Sequence, residues 1–156
     1  ENTRKEILCK SRNLIELKQD ILKMREKMLD VHPNPTPLFD IKHDRGGIID
    51  VEFIVQYLVL GYASQSPQLT GNIGNIALLK LAGELGLVPA ELATQVRTAY
   101  REYRRLQHRF RLGGEPELTS APLSKDKSEK FARIAADHLS NDRLSVLQLW
   151  DAVFRL

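Results

Sequence analysis

Residues 42–52 read Lys42-His43-Asp44-Arg45-Gly46-Gly47-Ile48-Ile49-Asp50-Val51-Glu52, and an apolar run continues through Phe53, Ile54 and Val55. Two cations and two glycines therefore stand immediately before a buried stretch. Amides at a helix start attract anions, glycines let a ligand approach the backbone, and Lys or Arg can grip a phosphate. The chemistry that suits Lys42, Arg45, Gly46 and Gly47 is thus the holding of a phosphate or another anion. The Gly-x-x-x-x-Gly-Lys-Ser/Thr spacing of a Walker loop is missing. A structural role accounts for the same residues: Gly46-Gly47 turns the chain, and Asp50 and Glu52 complement the positive end of the helix dipole.

Glu52 and Gln56 lie four apart, on one face of an otherwise apolar helix. They are either buried with partners or turned toward a surface that another body covers. Further on, Arg97, Arg101, Arg104, His108 and Arg111 step by threes and fours along one helix face. Such a stripe could dock an acidic partner or a phosphate backbone, or it could be a solvated face with acids such as Glu102 nearby. No aromatic residue interleaves on it as a base-stacking platform would require.

Catalysis finds little support. His32, His43, His108 and His138 have neither the mutual spacing nor the cysteines of a zinc site, so no metal site is expected. No Gly-x-Ser-x-Gly signature occurs, and the carboxylates are scattered. Cys9 is the sole cysteine, which excludes an intrachain disulfide and fits a reducing compartment.

The elements that must position these residues are helices. Leu14, Leu17, Ile21, Met24 and Met28 have amphipathic spacing over 13–29, with Ser11 or Asn13 as cap, after a shorter helical stretch at Thr3 to Lys10. The prolines at 33, 35 and 37 enforce a connector, and Leu38 to Lys42 is an extended arm or a β-bridge. Ile48 to Ala63, apolar on most sides, is the central helix. Thr70 or Asn72 caps a helix carrying Ile73, Ile76, Leu79 and Leu81 to a stop at Gly86. Pro89 opens the longest helix, with Leu92, Val96, Ala99, Tyr103, Leu106 and Phe110 on its packed stripe up to Gly113-Gly114. Ser124 or Asp126 caps a helix with Phe131, Ile134, Ala135 and Leu139. Asn141 or Asp142 caps a last one with Leu144, Leu147, Trp150 and Phe154. The expected fold is all-α, a bundle of about six helices formed as a single domain over 1–156.

Composition is globular, with 42% hydrophobic and 28% charged residues. The longest nearly apolar run, Val51 to Leu60, is far short of the ~20 residues that cross a bilayer. No secretory signal is apparent, and the start at Glu1 rather than Met suggests an excised piece. A net charge of +3 is too small to imply wholesale nucleic-acid binding.

The stretch Phe39-Asp40-Ile41-Lys42 through Gly46-Gly47-Ile48-Ile49-Asp50-Val51-Glu52-Phe53-Ile54-Val55-Gln56 closely resembles a motif of glutamine synthetase adenylyltransferases, the bifunctional adenylylating and deadenylylating enzymes. A looser form, with the lysine, the glycine pair and the acidic pair, resembles the uridylyltransferases of the PII nitrogen-signalling protein. Met24-Arg25-Glu26-Lys27-Met28, Pro67-Gln68-Leu69-Thr70 and Asn75-Ile76 look like the C-terminal, adenylylating half of the tandem enzyme. Tyr103-Arg104-Arg105-Leu106-Gln107-His108-Arg109 resembles the family's arginine-rich helix, and the likeness weakens beyond Gly114.

The resemblance implies a cytoplasmic parent enzyme in nitrogen regulation that moves AMP from ATP, with magnesium, onto a tyrosine of glutamine synthetase, under control of glutamine and the PII protein. It implies a nucleotidyltransferase domain upstream, whose Gly-Ser loop and Asp-x-Asp metal pair are absent from these residues. The piece itself is then expected to be non-catalytic and to bind no cofactor alone, with Lys42, Arg45, Gly46 and Gly47 near the nucleotide or the domain seam and Asp50 and Glu52 orienting the loop. The alternatives are the helical domain of a PII uridylyltransferase, or a free-standing helical module binding nucleic acid through its basic helix. Modest net charge and the missing stacking aromatics argue against the latter.

Overall fold

A computed structural model describes residues 2–112, 133–134, 137 and 139–155. Among them are six α-helices: α1 (Asn2–Leu8), α2 (Leu14–Val31), α3 (Ile48–Tyr62), α4 (Gly74–Glu84), α5 (Ala90–Arg111) and α6 (Ser140–Phe154). A 3-10 turn at Pro67–Thr70 follows α3, and β1 (Phe39–Asp40) and β2 (Arg133–Ile134) form a minimal antiparallel ladder. The all-helical bundle is therefore as the periodicity predicts.

Helix α3 is the hub and packs against α2, α4, α5 and α6. Its Val51, Ile54 and Leu58 join Leu79 and Ala82 of α4, Val96 and Leu106 of α5, and Val146 and Leu149 of α6 in one continuous core. A helix apolar on nearly every side is stable only when other helices cover it, which is the arrangement found. Two of these neighbours are sharply delimited. Asn13 caps α2, its Oδ1 accepting from the amides of Ile15 and Glu16. Gly86, just past the end of α4, takes φ +73°, a value that favours glycine.

Several local expectations change. Asn72 and Thr70 do not cap α4: Ile73 occupies that position, without a side-chain bond. Pro89 is the cap residue of α5 rather than its first turn, and Leu139 rather than Asn141 or Asp142 precedes α6. The helix expected around Phe131 to Leu139 is overturned at Arg133 and Ile134, which pair with Asp40 and Phe39 in the ladder. Ile134 and Phe39 are both buried, so the backbone pairing and burial of β1 outweigh the local helical spacing. The other residues of that expected helix up to Ala135, with its candidate caps Ser124 and Asp126, lie outside the described residues, as do Gly113 and Gly114.

On α2, Met24 was expected on the packed stripe but is 54% exposed, whereas Arg25 is 1% exposed. The buried arginine has a specific partner, which leads to the loop before α3.

Candidate functional site

The segment from β1 to the head of α3 is closed by carboxylates acting as backbone acceptors. Asp40 Oδ1 takes the amides of Lys42 and His43, each at 3.0 Å. Asp44 Oδ2 takes the Asp40 amide at 3.0 Å and Asn34 Nδ2 at 2.8 Å, and the same Asn34 amide group donates to the Leu38 carbonyl at 2.7 Å. The Asn34 Oδ1 accepts the Thr36 amide, so the proline connector is itself pinned. Such side-chain to backbone bonds let a short loop satisfy its polar groups without regular structure.

Asp50, fully buried, is the pivot. Its Oδ2 accepts the Gly46 amide at 2.7 Å and its Oδ1 accepts the Nε of Arg25. Arg25 Nη2 donates to the carbonyls of His43 (2.7 Å) and Asp44 (3.3 Å). Arg45 stands 3.8 Å from Asp50 Oδ2, close enough for attraction and too far for a good hydrogen bond. Its guanidinium lies 5.1 Å from the centre of the Trp150 ring.

Two further elements hold the loop from behind. Tyr103 of α5 donates its hydroxyl to the Gly46 carbonyl at 2.8 Å, and Arg143 of α6 donates Nε to the Arg45 carbonyl at 2.9 Å. Burial pushes the Tyr103 phenol well above its ordinary range, so the hydroxyl keeps the proton it donates. Gly46 takes φ +84° and lies against the Arg143 side chain, where a Cβ would come within 2.6 Å of Arg143 Cγ. At Gly47 a Cβ would run into the backbone carbonyl of Ile41.

The glycine amides are not offered to a ligand. Gly46 donates to Asp50, Gly47 to the Asp44 carbonyl at 3.0 Å, Ile48 to the Ile41 carbonyl at 2.7 Å and Ile49 to the Lys42 carbonyl at 3.2 Å. The expected anion-facing amides are thus engaged by the protein itself, and the glycines serve backbone conformation and close approach. What faces outward is side chains. Lys42 and Arg45 are exposed at the loop, and Glu52 and Gln56 are exposed on the next two turns of α3. Of the two readings open for Glu52 and Gln56, burial with partners within this chain is not what is found, since both are exposed.

His43 is buried, its Nδ1 3.3 Å from Asp40 Oδ2 and its ring centre 4.4 Å from that of His32. Burial lowers its pKa despite the attraction of Asp40, so the neutral imidazole is favoured. Among the described residues no group of three or more His, Cys, Asp or Glu is placed to hold a metal ion. Nor is any helix among them long and apolar enough to cross a membrane.

The five residues of the basic stripe gather on α5. Arg101, Arg104, His108 and Arg111 are exposed, and Arg97 is half-buried. They lie on the solvent side of α5, away from buried Tyr103, so the structure does not bring them into the loop.

Arg25, Tyr103, Asn34 and Arg143 are the site residues that sequence spacing does not single out. The one available signal was Arg25, four residues after Ile21 on the packed side of α2.

The family profile described as GlnD PII-uridylyltransferase matches residues 16–155. The chain belongs to that family. Over 99% of its length it is 68% identical to the bifunctional glutamine synthetase adenylyltransferase/adenylyl-removing enzyme of Nitrosomonas europaea and 65% identical to that of Nitrosomonas eutropha. Identity to the same enzyme of Aromatoleum aromaticum is 47%. The chain spans 17% of the length of the two Nitrosomonas relatives and 15% of the third. The family description and the relatives' names share the nucleotidyl-transfer class and differ in the protein modified.

Proposed function

We propose that the chain is the all-helical module of a bifunctional glutamine synthetase adenylyltransferase/adenylyl-removing enzyme, a single domain that follows a nucleotidyltransferase domain in the adenylylating half. The observation that carries this reading is 68% identity maintained across 99% of the chain. The parent reaction would then move AMP from ATP, with magnesium, onto a glutamine synthetase tyrosine in the cytoplasm, with the PII protein as regulator.

The module's part is positional. On this reading magnesium is held by the catalytic domain, and no step is assigned to a metal here. Lys42 and Arg45 are exposed cations on a loop whose backbone is fixed from three helices, and exposed cations on a rigid base suit contact with nucleotide phosphates or an acidic rim across the domain seam. Glu52 and Gln56 extend that contact face along α3. Gly46, Gly47 and Asp50 act from beneath by fixing the loop.

The test is adenylylation of glutamine synthetase, with ATP and magnesium, by the chain alone and by the chain extended upstream through the preceding domain. Activity confined to the longer protein is the expected result, and activity of the chain alone would overturn the positional role. In the longer protein, Lys42→Ala and Glu52→Gln should each lower the rate by about tenfold or more, since a misplaced contact distant from the chemistry can cost that much. Unchanged rates would remove these residues from the seam.

A second reading is supported by the family description: the parent modifies the PII protein instead. Offering both proteins to the extended enzyme with ATP and with UTP decides between them.

A further inference from the structure

Arg101, Arg104, His108 and Arg111 occupy the exposed side of α5 at steps of three, four and three residues. The helical rise places them along about 15 Å on one side of the helix. No carboxylate among the described residues pairs with any of the four. Arg104 instead bonds Gln107 Oε1 at 2.9 Å. Glu102, the one acid within that span of sequence, is gripped by Arg105 at 2.6 and 2.9 Å. Arg97 prolongs the row, half-buried, with Nε lacking a partner among the described residues.

The three guanidinium groups repel one another, and no acid among the described residues is paired with them to offset the cost. We propose that this face of α5 docks an acidic helix of a partner protein, one presenting carboxylates at i, i+3 or i+4, and i+7. Helical neighbours recur about every 5–6 Å along a face, so a helix laid along α5 meets each cation with a carboxylate. Guanidinium groups, three of the four residues, bind carboxylates as two-pronged forks, which favours protein acids over a diffuse anion. A single nucleic-acid strand fits less well. The tyrosines of α5, Tyr100 and Tyr103, are buried and leave no stacking platform. The net charge of +3 supplies little long-range attraction to a polyanion. The surface is independent of the loop at the head of α3, so this inference stands or falls apart from the seam reading.

The test titrates the chain, by fluorescence anisotropy, with three probes: a helical peptide of about 20 residues with glutamates along one face, a peptide of equal composition with its glutamates dispersed around the helix, and an oligo-dT of about 20 nucleotides. Near-neutral pH and salt of about 50 mM leave surface charges weakly screened. The one-sided peptide should bind at least about tenfold more tightly than the dispersed one, and its affinity should fall about tenfold by roughly 0.5 M salt. Arg101→Glu with Arg104→Glu should abolish that binding, while Arg105→Glu, which removes the partner of Glu102, should weaken it less; circular dichroism checks that each variant keeps its helices. Equal binding of the two peptides, tighter binding of oligo-dT, or no binding at low salt would each overturn the proposal.

Discussion

Arg25 and Asp50 meet inside the protein with side chains 1% and 0% exposed, Arg25 on α2 and Asp50 in the first turn of α3. The pair joins more than two helices. Through the carbonyls of His43 and Asp44 on one side and the Gly46 amide on the other, it sets the path of the whole loop that carries Lys42 and Arg45. Removing one member of such a buried pair strands the other charge without water or counterion.

Arg25→Met keeps the volume and discards the charge. It should destabilise the chain by about 3–5 kcal/mol, the usual cost of an orphaned buried ion. Arg45, 3.8 Å from Asp50 and 44% exposed, offsets only part of the charge. Urea unfolding measures the loss, and adding Asp50→Asn to Arg25→Met should return part of it because the stranded charge is gone. A loss under about 1 kcal/mol for the single variant would mean that Asp50 finds other compensation.

Gly47→Ala tests the close approach. The Ile41 carbonyl that a new Cβ would strike is backbone, held by the Ile48 amide at 2.7 Å, and the Asp44 carbonyl sits 3.0 Å away on another side. Neither can swing aside as a flexible side chain would. The expected penalty is about 3 kcal/mol, at the upper end of overpacking costs, and a thermal melt within a degree or two of the parent chain would contradict the geometry.

Much of this was legible in the sequence, and the exceptions have a common cause. The apolar spacing of α3 and α5, with the glycine and proline boundaries, predicts the helices because periodic burial is a local pattern. The loop motif likewise shows itself as cations and glycines at a helix start. The exceptions depend on partners remote in sequence. Arg25 is polar yet buried because Asp50, twenty-five residues on, neutralises it, and Met24 yields its place. Ile134 leaves helical spacing for a strand because Phe39 lies beside it. No local spacing shows that the Tyr103 hydroxyl has the Gly46 carbonyl to bond.

His43 should make stability depend on pH. In the unfolded chain its value is the ordinary 6.5, and in the folded chain burial lowers it, against opposing help from Asp40 and with His32 and Lys42 adding to the depression. Between the two values the unfolded state binds more protons, so stability rises with pH there. The full contribution is present above 6.5 and is lost as pH falls through the folded value. Urea midpoints measured from pH 7 down to pH 5 should therefore decline, and His43→Gln should flatten the decline relative to the parent chain. An identical slope in the variant would assign the pH dependence to other groups.

Tyr103→Phe separates the role of α5 as a support from its role as a surface. The substitution removes one hydroxyl and leaves the buried Gly46 carbonyl without that donor, a loss of about 1–3 kcal/mol. The ring remains, with its edge contact to Phe39 at 5.8 Å between centres, so the core itself should hold. Amide exchange should consequently quicken in residues 42–47 more than in α4, since the hydroxyl bonds the Gly46 carbonyl. Uniform quickening across the chain would show that the hydroxyl contributes only to global stability, and no change at all would show that the Gly46 carbonyl is satisfied some other way.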